Sequence, residues 1–223
     1  MNTKKYAIIT AMKEEADSII NRYHLSLSKK LHHIQVYEND SMVLLLSGIW
    51  KVQASIAASF VFENYDFNTL INIGIAGNLK GEQAKIWDVF ILGKVQQHDI
   101  YLPFWWSHLD YAKGIIQLHS ITLFQKKYNF WCFYDAFCIT GDQFIDNLDI
   151  VKILWETYKA DIVEMEAFAI ASVAREYRSL EKCLFIKAIS DGADNNARET
   201  HMTHLEYAMK NSLEVLEEII WNK

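Results

Sequence analysis

Two observations predict an α/β fold, a mixed or parallel sheet with helices on both faces. Short apolar runs with the length of buried strands alternate with segments of helical period over most of the 223 residues. No Pro-, Gly- or Ser-rich linker interrupts them, and Pro103 is the only proline, so residues 1–223 read as a single domain. At 51% hydrophobic and 22% charged, the chain has the balance of a globular protein and not of a disordered one.

Taken in order, Tyr6–Thr10 is a buried strand and Lys13–Tyr23 a helix with Ala16, Ile19 and Ile20 on one side. Ser41–Leu46 is the next strand, and Gly48 opens the turn into a helix over residues 51–64. Thr69–Gly74 and Val89–Val95 are two central strands, Phe137–Thr140 a short one and Lys182–Ile189 another. His204–Trp221 closes the chain as an amphipathic helix. Between Tyr101 and Asn129 the rhythm breaks into a stretch rich in Trp, Tyr, His and Lys, and an irregular segment of that length is usually functional or interfacial.

Charge and cysteine content narrow the partners. The net charge is −6, and the arginines are Arg22, Arg175, Arg178 and Arg198 alone, so there is no basic stripe for a nucleic-acid polymer. Cys132, Cys138 and Cys183 are odd in number and lack CxxC spacing, which suggests neither a disulfide framework nor a zinc site. Lys4 and Lys5 precede an apolar run too short for a signal peptide, and no later run approaches a membrane span. The expectation is a soluble, cytoplasmic protein with reduced thiols.

Three acidic residues sit where apolar runs give out: Glu15 in ITAMKEEADSII, Glu166 in DIVEMEAFAIA and Asp191 in CLFIKAISDGAD. Open α/β sheets bind ligands at the carboxyl ends of their strands. Each residue also has an ordinary reading. Glu15 suits a helix's first turn, Glu164 and Glu166 suit a helix start, and Ser-Asp-Gly suits a turn. Yet Glu164 and Glu166, two apart across Met165, share a face if the backbone is extended. Gly48, Gly74, Gly77, Gly141 and Gly192 follow apolar runs, where a backbone turns sharply or approaches a ligand. There is no GxGxxG and no GxxxxGK[ST]. His98-Asp99 and His201-x-x-His204 lack a third matching metal ligand. Phe104, Trp105 and Trp106 are aromatic enough to stack bases, but such clusters are more often core or interface.

In order and context these segments resemble the 5′-methylthioadenosine/S-adenosylhomocysteine nucleosidases of the purine nucleoside phosphorylase superfamily. The resemblance implies a three-layer α/β/α fold with a twisted mixed central sheet. It implies hydrolysis of the N-glycosidic bond of a 5′-substituted adenosine, in nucleoside catabolism and methionine salvage, without cofactor or metal. AMKEEA places Glu15 as the base that activates water, and VEMEA places Met165 against the ribose with Glu166 on its hydroxyls. Asp191 becomes the acid at purine N7, and Phe144 and Ile145 in TGDQFID match the base-stacking aromatic and its neighbour. Ala11, Ile49, Ala76, Gly77, Glu164 and Ser190 complete the implied substrate pocket. The family pairs into homodimers, and HDIYLPF falls where the partner closes the 5′ pocket, with Pro103 and Phe104 at the interface.

Such a reaction passes through a ribosyl cation and needs a proton for the purine, a base for water and negative charge beside the ring. Water is favoured over phosphate because residues 23–174 contain no arginine to grip an oxyanion bidentately. A phosphate-dependent phosphorylase and a non-catalytic nucleoside-binding homologue are the alternatives. Two positions depart from the family pattern: Lys187 stands where an arginine contacts the attacking water, and Ile75 replaces a small residue in the Gly-rich turn.

Overall fold

In the computed structural model, which describes residues 2–101, 103–104, 109–119 and 128–221, the apolar runs become strands of one sheet. The strands are β1 (Asn2–Thr10), β2 (Ser26–Lys30), β3 (Gln35–Glu38), β4 (Met42–Leu46), β5 (Tyr65–Asn78), β6 (Val89–Gln97), β7 (Ile116–Gln117), β8 (Cys132–Thr140), β9 (Ile162–Glu164) and β10 (Cys183–Asp191). The helices are α1 (Lys13–Tyr23), α2 (Lys51–Asn64), α3 (Asp110–Lys113), α4 (Leu148–Tyr158), α5 (Ala167–Glu176) and α6 (Ala197–Trp221).

The period of two in the strands decides which helices cover which face. Ala7, Ile9, Val43, Leu45 and Phe185 pack with Ala54, Ala57 and Ala58 of α2 and Ala167, Ala171 and Ala174 of α5. Their neighbours Ile8, Leu44, Leu184 and Ile186 face Ile19 of α1 and Leu205, Met209 and Leu216 of α6. Two helices on each face of a mixed sheet is the three-layer arrangement expected from the sequence. The alanines let α2 and α5 approach each other closely, because small side chains shorten the interaxial distance.

β5 is longer than its apolar run suggested and serves two neighbourhoods. It pairs in parallel with β1 from Tyr65 to Asn72 and with β10 from Leu70 to Gly77. Its tip then pairs antiparallel with β9, Gly77 opposite Val163. Since β10 pairs with β6, β6 with β8 and β8 with β9, the path returns to β5 and part of the sheet closes into a ring. Closure gathers the carboxyl ends of β5, β8 and β10 around one spot, with β1 ending beside them.

Boundaries differ from expectation where polar residues continue an element. The closing helix begins at Ala197, ahead of His204, because Arg198, Glu199 and Thr200 form its first turn without adding an apolar face. The β2–β3 hairpin has no buried residue in β2 to signal it. α4 opens on Asn147, whose side chain accepts from the amides of Asp149 and Ile150, a local cap legible in Asn-x-Asp. In the stretch from Tyr101 to Asn129, the described part holds α3 and the two-residue β7 beside β6. Trp105 and Trp106 lie outside the described residues. Among those residues no helix is long and apolar enough to cross a membrane.

Candidate active site

Glu15 reaches the carboxyl end of the sheet because α1 starts directly after β1. Its Oε2 accepts from the Thr10 hydroxyl at 2.8 Å and from the amides of Ala11 and Met12 at 3.0 and 2.9 Å. Its Oε1 accepts from the Ile75 amide at 3.0 Å, which leaves that oxygen room for one more donor. The side chain is 3% exposed. A Cβ on Gly74 would stand 2.7 Å from Oε1, so the glycine is what lets the carboxylate sit against β5. Ile75, the departure from the family's turn, contributes its backbone N–H here, while its side chain packs toward the α1–α6 layer.

Glu164, Glu166 and Lys187 form a buried ionic cluster. Lys187 Nζ lies 2.8 Å from Glu164 Oε2 and 3.8 Å from Glu166 Oε2. Glu164 also accepts from the Thr140 hydroxyl at 2.5 Å and from the amides of Glu166 and Ala167 at 3.0 and 2.9 Å. It thereby caps the start of α5, which is the bland reading of that position and a true one. Burial pushes the Glu164 carboxyl up, but the Lys187 charge and these hydrogen bonds outweigh it and hold the group below its ordinary value. Burial pushes Glu166 up to about 8, Lys187 opposing and the charges of Glu164 and Glu15 adding to the rise. Burial disfavours the Lys187 ammonium, yet the two glutamates hold its pKa above that of a free lysine. Glu166 Oε1 takes its own hydrogen bond from the Trp50 amide at 3.2 Å. Trp50 has φ +84°, a conformation that costs a non-glycine residue strain and that turns its N–H toward the carboxylate.

Asp191 ends β10. Its Oδ2 accepts from the Ser190 hydroxyl and its Oδ1 from the Ala193 amide, both at 2.8 Å. Burial raises its pKa, and the two hydrogen bonds offset part of the rise. Gly77 makes room here, since a Cβ would lie 3.2 Å from Oδ1.

The twelve residues that the resemblance implies for the site line one cavity of about 130 Å³: Ala11, Glu15, Ile49, Ala76, Gly77, Phe144, Ile145, Glu164, Met165, Glu166, Ser190 and Asp191. The lining also takes in Met12, Ile75, Gln143, Val163 and His201. Sequence reasoning weighed His201 only as half of a metal motif with His204. In the structure the two imidazoles hold different carbonyls, His201 those of Ala197 and Arg198 and His204 that of Ser190. Among the described residues no group of three metal-type side chains converges. The supporting donors Thr10, Thr140 and Trp50 carried no signal, because buried hydroxyls and a main-chain amide look like any others in a sequence.

A cavity at the carboxyl ends of strands in a mixed α/β sheet, walled by buried carboxylates, is the kind of small-molecule site that such sheets carry. The Phosphorylase superfamily model matches residues 5–220, so the chain belongs to that superfamily, and within it to the 5′-methylthioadenosine/S-adenosylhomocysteine nucleosidases. A nucleosidase of that name from Buchnera aphidicola subsp. Acyrthosiphon pisum (strain Tuc7) is 32% identical over 209 residues, covering 86% of this chain and 87% of its own. An aminodeoxyfutalosine nucleosidase of Helicobacter pylori (strain ATCC 700392 / 26695) is 24% identical over 233 residues, covering 97% and 98%. In fold, the Neisseria meningitidis 5′-methylthioadenosine/S-adenosylhomocysteine nucleosidase with methylthio-immucillin-A superposes with a TM-score of 0.83 at 24% identity, each chain covered in full.

Proposed function

We propose that this protein hydrolyses the N-glycosidic bond of 5′-substituted adenosines, 5′-methylthioadenosine and S-adenosylhomocysteine among them, releasing adenine. The observation that carries the reading is the convergence of Glu15, Glu166 and Asp191 on one cavity. Glu15 is the base: its Oε1 retains a lone pair for the attacking water, and the donors around it hold its geometry. Asp191 is the acid: burial keeps its proton to higher pH than an ordinary aspartate, and the departing purine takes it. Glu166 grips the ribose hydroxyls and meets the growing positive charge of the ring, which favours its ionised form as the bond breaks.

Water is the nucleophile. Among the described residues lining the cavity there is no arginine, and Lys187 is engaged by Glu164. Incubation with 5′-methylthioadenosine, with and without phosphate, should release adenine at the same rate. Phosphate-dependent turnover yielding a ribose 1-phosphate would reverse this choice.

The same reading has the protein act in the cytoplasm as a homodimer. Phe104 and Tyr101 are exposed, as are Trp50, Val52 and Ile56 at the start of α2 and Ile150 and Ile153 on α4. Apolar surface of that extent usually marks a contact. Sedimentation should show a dimer at micromolar concentration, and a fully active monomer would exclude a site shared between subunits.

A further inference from the structure

Two successive amides at the start of α2 are each taken by a carboxylate from a distant part of the chain. The Trp50 N–H donates to Glu166 Oε1 at 3.2 Å and the Lys51 N–H to Asp142 Oδ1 at 2.8 Å. α2 has no acidic residue in its first turn, and the side chain of its N-cap residue, Trp50, makes no capping bond. Asp142 therefore supplies from another element the anion that a helix start usually draws from its own sequence. Trp50 has φ +84° and ψ 156°, a region that only glycine enters freely, so the conformation has to be imposed from outside.

Asp142 is itself anchored. Its N–H donates to Asp99 Oδ2 at 2.7 Å, and Asp99 Oδ1 binds Lys51 Nζ. That ammonium also reaches Gln97 Oε1 at 3.3 Å and lies 3.8 Å from Asp142 Oδ2. Beside them the His98 ring lies against Gly141, where a Cβ would stand 2.2 Å from Nε2. The residues that follow β6 and β8 and the first residue of α2 are thus tied together, next to the carboxylate that the proposed reaction needs ionised. Around Glu166 stand Glu164 from β9, Glu15 from α1 and Lys187 from β10, and the Trp50 N–H adds to the lysine's effect by favouring the charged form.

We infer that Asp142 is a positioning residue: by accepting the Lys51 N–H it holds Trp50 in its strained conformation and so keeps the Trp50 N–H on Glu166. The inference rests on the nucleosidase reading, in which Glu166 meets the ribosyl cation. Without Asp142, Trp50 relaxes toward ordinary backbone angles and its N–H turns away from the carboxylate.

The test follows adenine release from 5′-methylthioadenosine by the full-length protein across pH. The Asp142 side chain is 39% exposed, so replacing it leaves the core packing intact. Asp142→Ala should lower kcat/KM about tenfold below the limb that belongs to Glu166 and carry that limb upward by about one pH unit, the worth of one hydrogen bond to a charged group. Above the limb the variant should converge on wild type, because Glu166 is then ionised in both. Asp142→Asn, whose amide oxygen still accepts from Lys51, should not raise the limb. Adding Trp50→Gly to Asp142→Ala should bring it part of the way back, since glycine adopts the positive φ without an outside grip. The field of a lost carboxylate acts the other way and eases ionisation of Glu166, so a limb moved to lower pH assigns Asp142 a charge effect and overturns the inference. A loss equal at every pH, or no return in the double variant, overturns it as well. Turnover by the wild type leaves the nucleosidase reading standing in each of these cases, whereas an inert wild type removes both.

Discussion

The cavity buries carboxylates in two different ways on its two walls. Among the described residues Glu15 is held by neutral donors alone, one hydroxyl and three amides, with no cation in contact. Glu164 and Glu166 share a lysine. Neutral donors fix a carboxylate's position without cancelling its charge, so the group can still take a proton from water. A buried ion pair gives up that freedom for a defined charge state, and it becomes costly when broken. The wall to which we assign proton transfer is thus the uncancelled one.

The largest blow to this contrast falls on the reacting groups. Glu15→Gln should lower kcat by about a hundred- to ten-thousand-fold, with adenine release as the readout. The new amide oxygen satisfies the Thr10, Ala11 and Met12 donors, which puts the NH₂ where water should bind, opposite the Ile75 N–H. Asp191→Asn should fall in the same range while the fold survives, because its amide keeps partners in Ser190 and Ala193. Near-wild-type rates in Asp191→Asn would show that the acid is misassigned.

Lys187→Met probes the opposite wall. Leaving Glu164 buried without its cation should destabilise the fold by about 3–5 kcal/mol, measured by denaturant unfolding. Adding Glu164→Gln should recover part of that loss, whereas the same substitution in wild type should not stabilise. If Lys187→Met melts like wild type, the two walls do not differ as described.

Gly74→Ala sharpens the comparison at smaller cost. Its methyl would press on Glu15 Oε1, so it should reduce kcat by about tenfold and leave KM closer to wild type. An equal loss in stability and activity would mean that the glycine serves packing only.

The smallest effect is in the pH profile of kcat/KM. Asp191 and Glu166 both hold protons to higher pH than ordinary carboxylates. The reaction needs Glu166 ionised and Asp191 protonated, so the profile should carry a limb at about 8 that belongs to Glu166. Lys187→Arg should keep that limb in place. Lys187→Met, lacking the charge that lowers Glu166, should move it to higher pH. A limb unmoved by Lys187→Met would detach Glu166 from the profile.

Much of this was legible in the sequence because it rests on local pattern. Apolar runs located the central strands, and the acidic residues at their ends located the cavity. What escaped depends on distant pairing. Nothing in TLINIG says that β5 continues past it to serve β1, β9 and β10 at once. Lys187 read as a poor substitute for an arginine near water, whereas it is drawn to Glu164, across a fold the sequence does not display. Glu164 read as a substrate ligand; it lines the cavity and also bonds Thr140, Glu166, Ala167 and Lys187, partners that the sequence does not display.

β5 has a further consequence as a measure of length. Gly74 abuts Glu15 and Gly77 abuts Asp191, so two glycines on one strand mark where the base and the acid rest. Three residues of extended chain span about 10 Å, a distance suited to a water, the bond it attacks and the purine nitrogen that takes the proton. Deleting one residue between the glycines would shorten it by about 3.3 Å and turn the residues that follow to the other face of the sheet, so the base and the acid would lose their common frame.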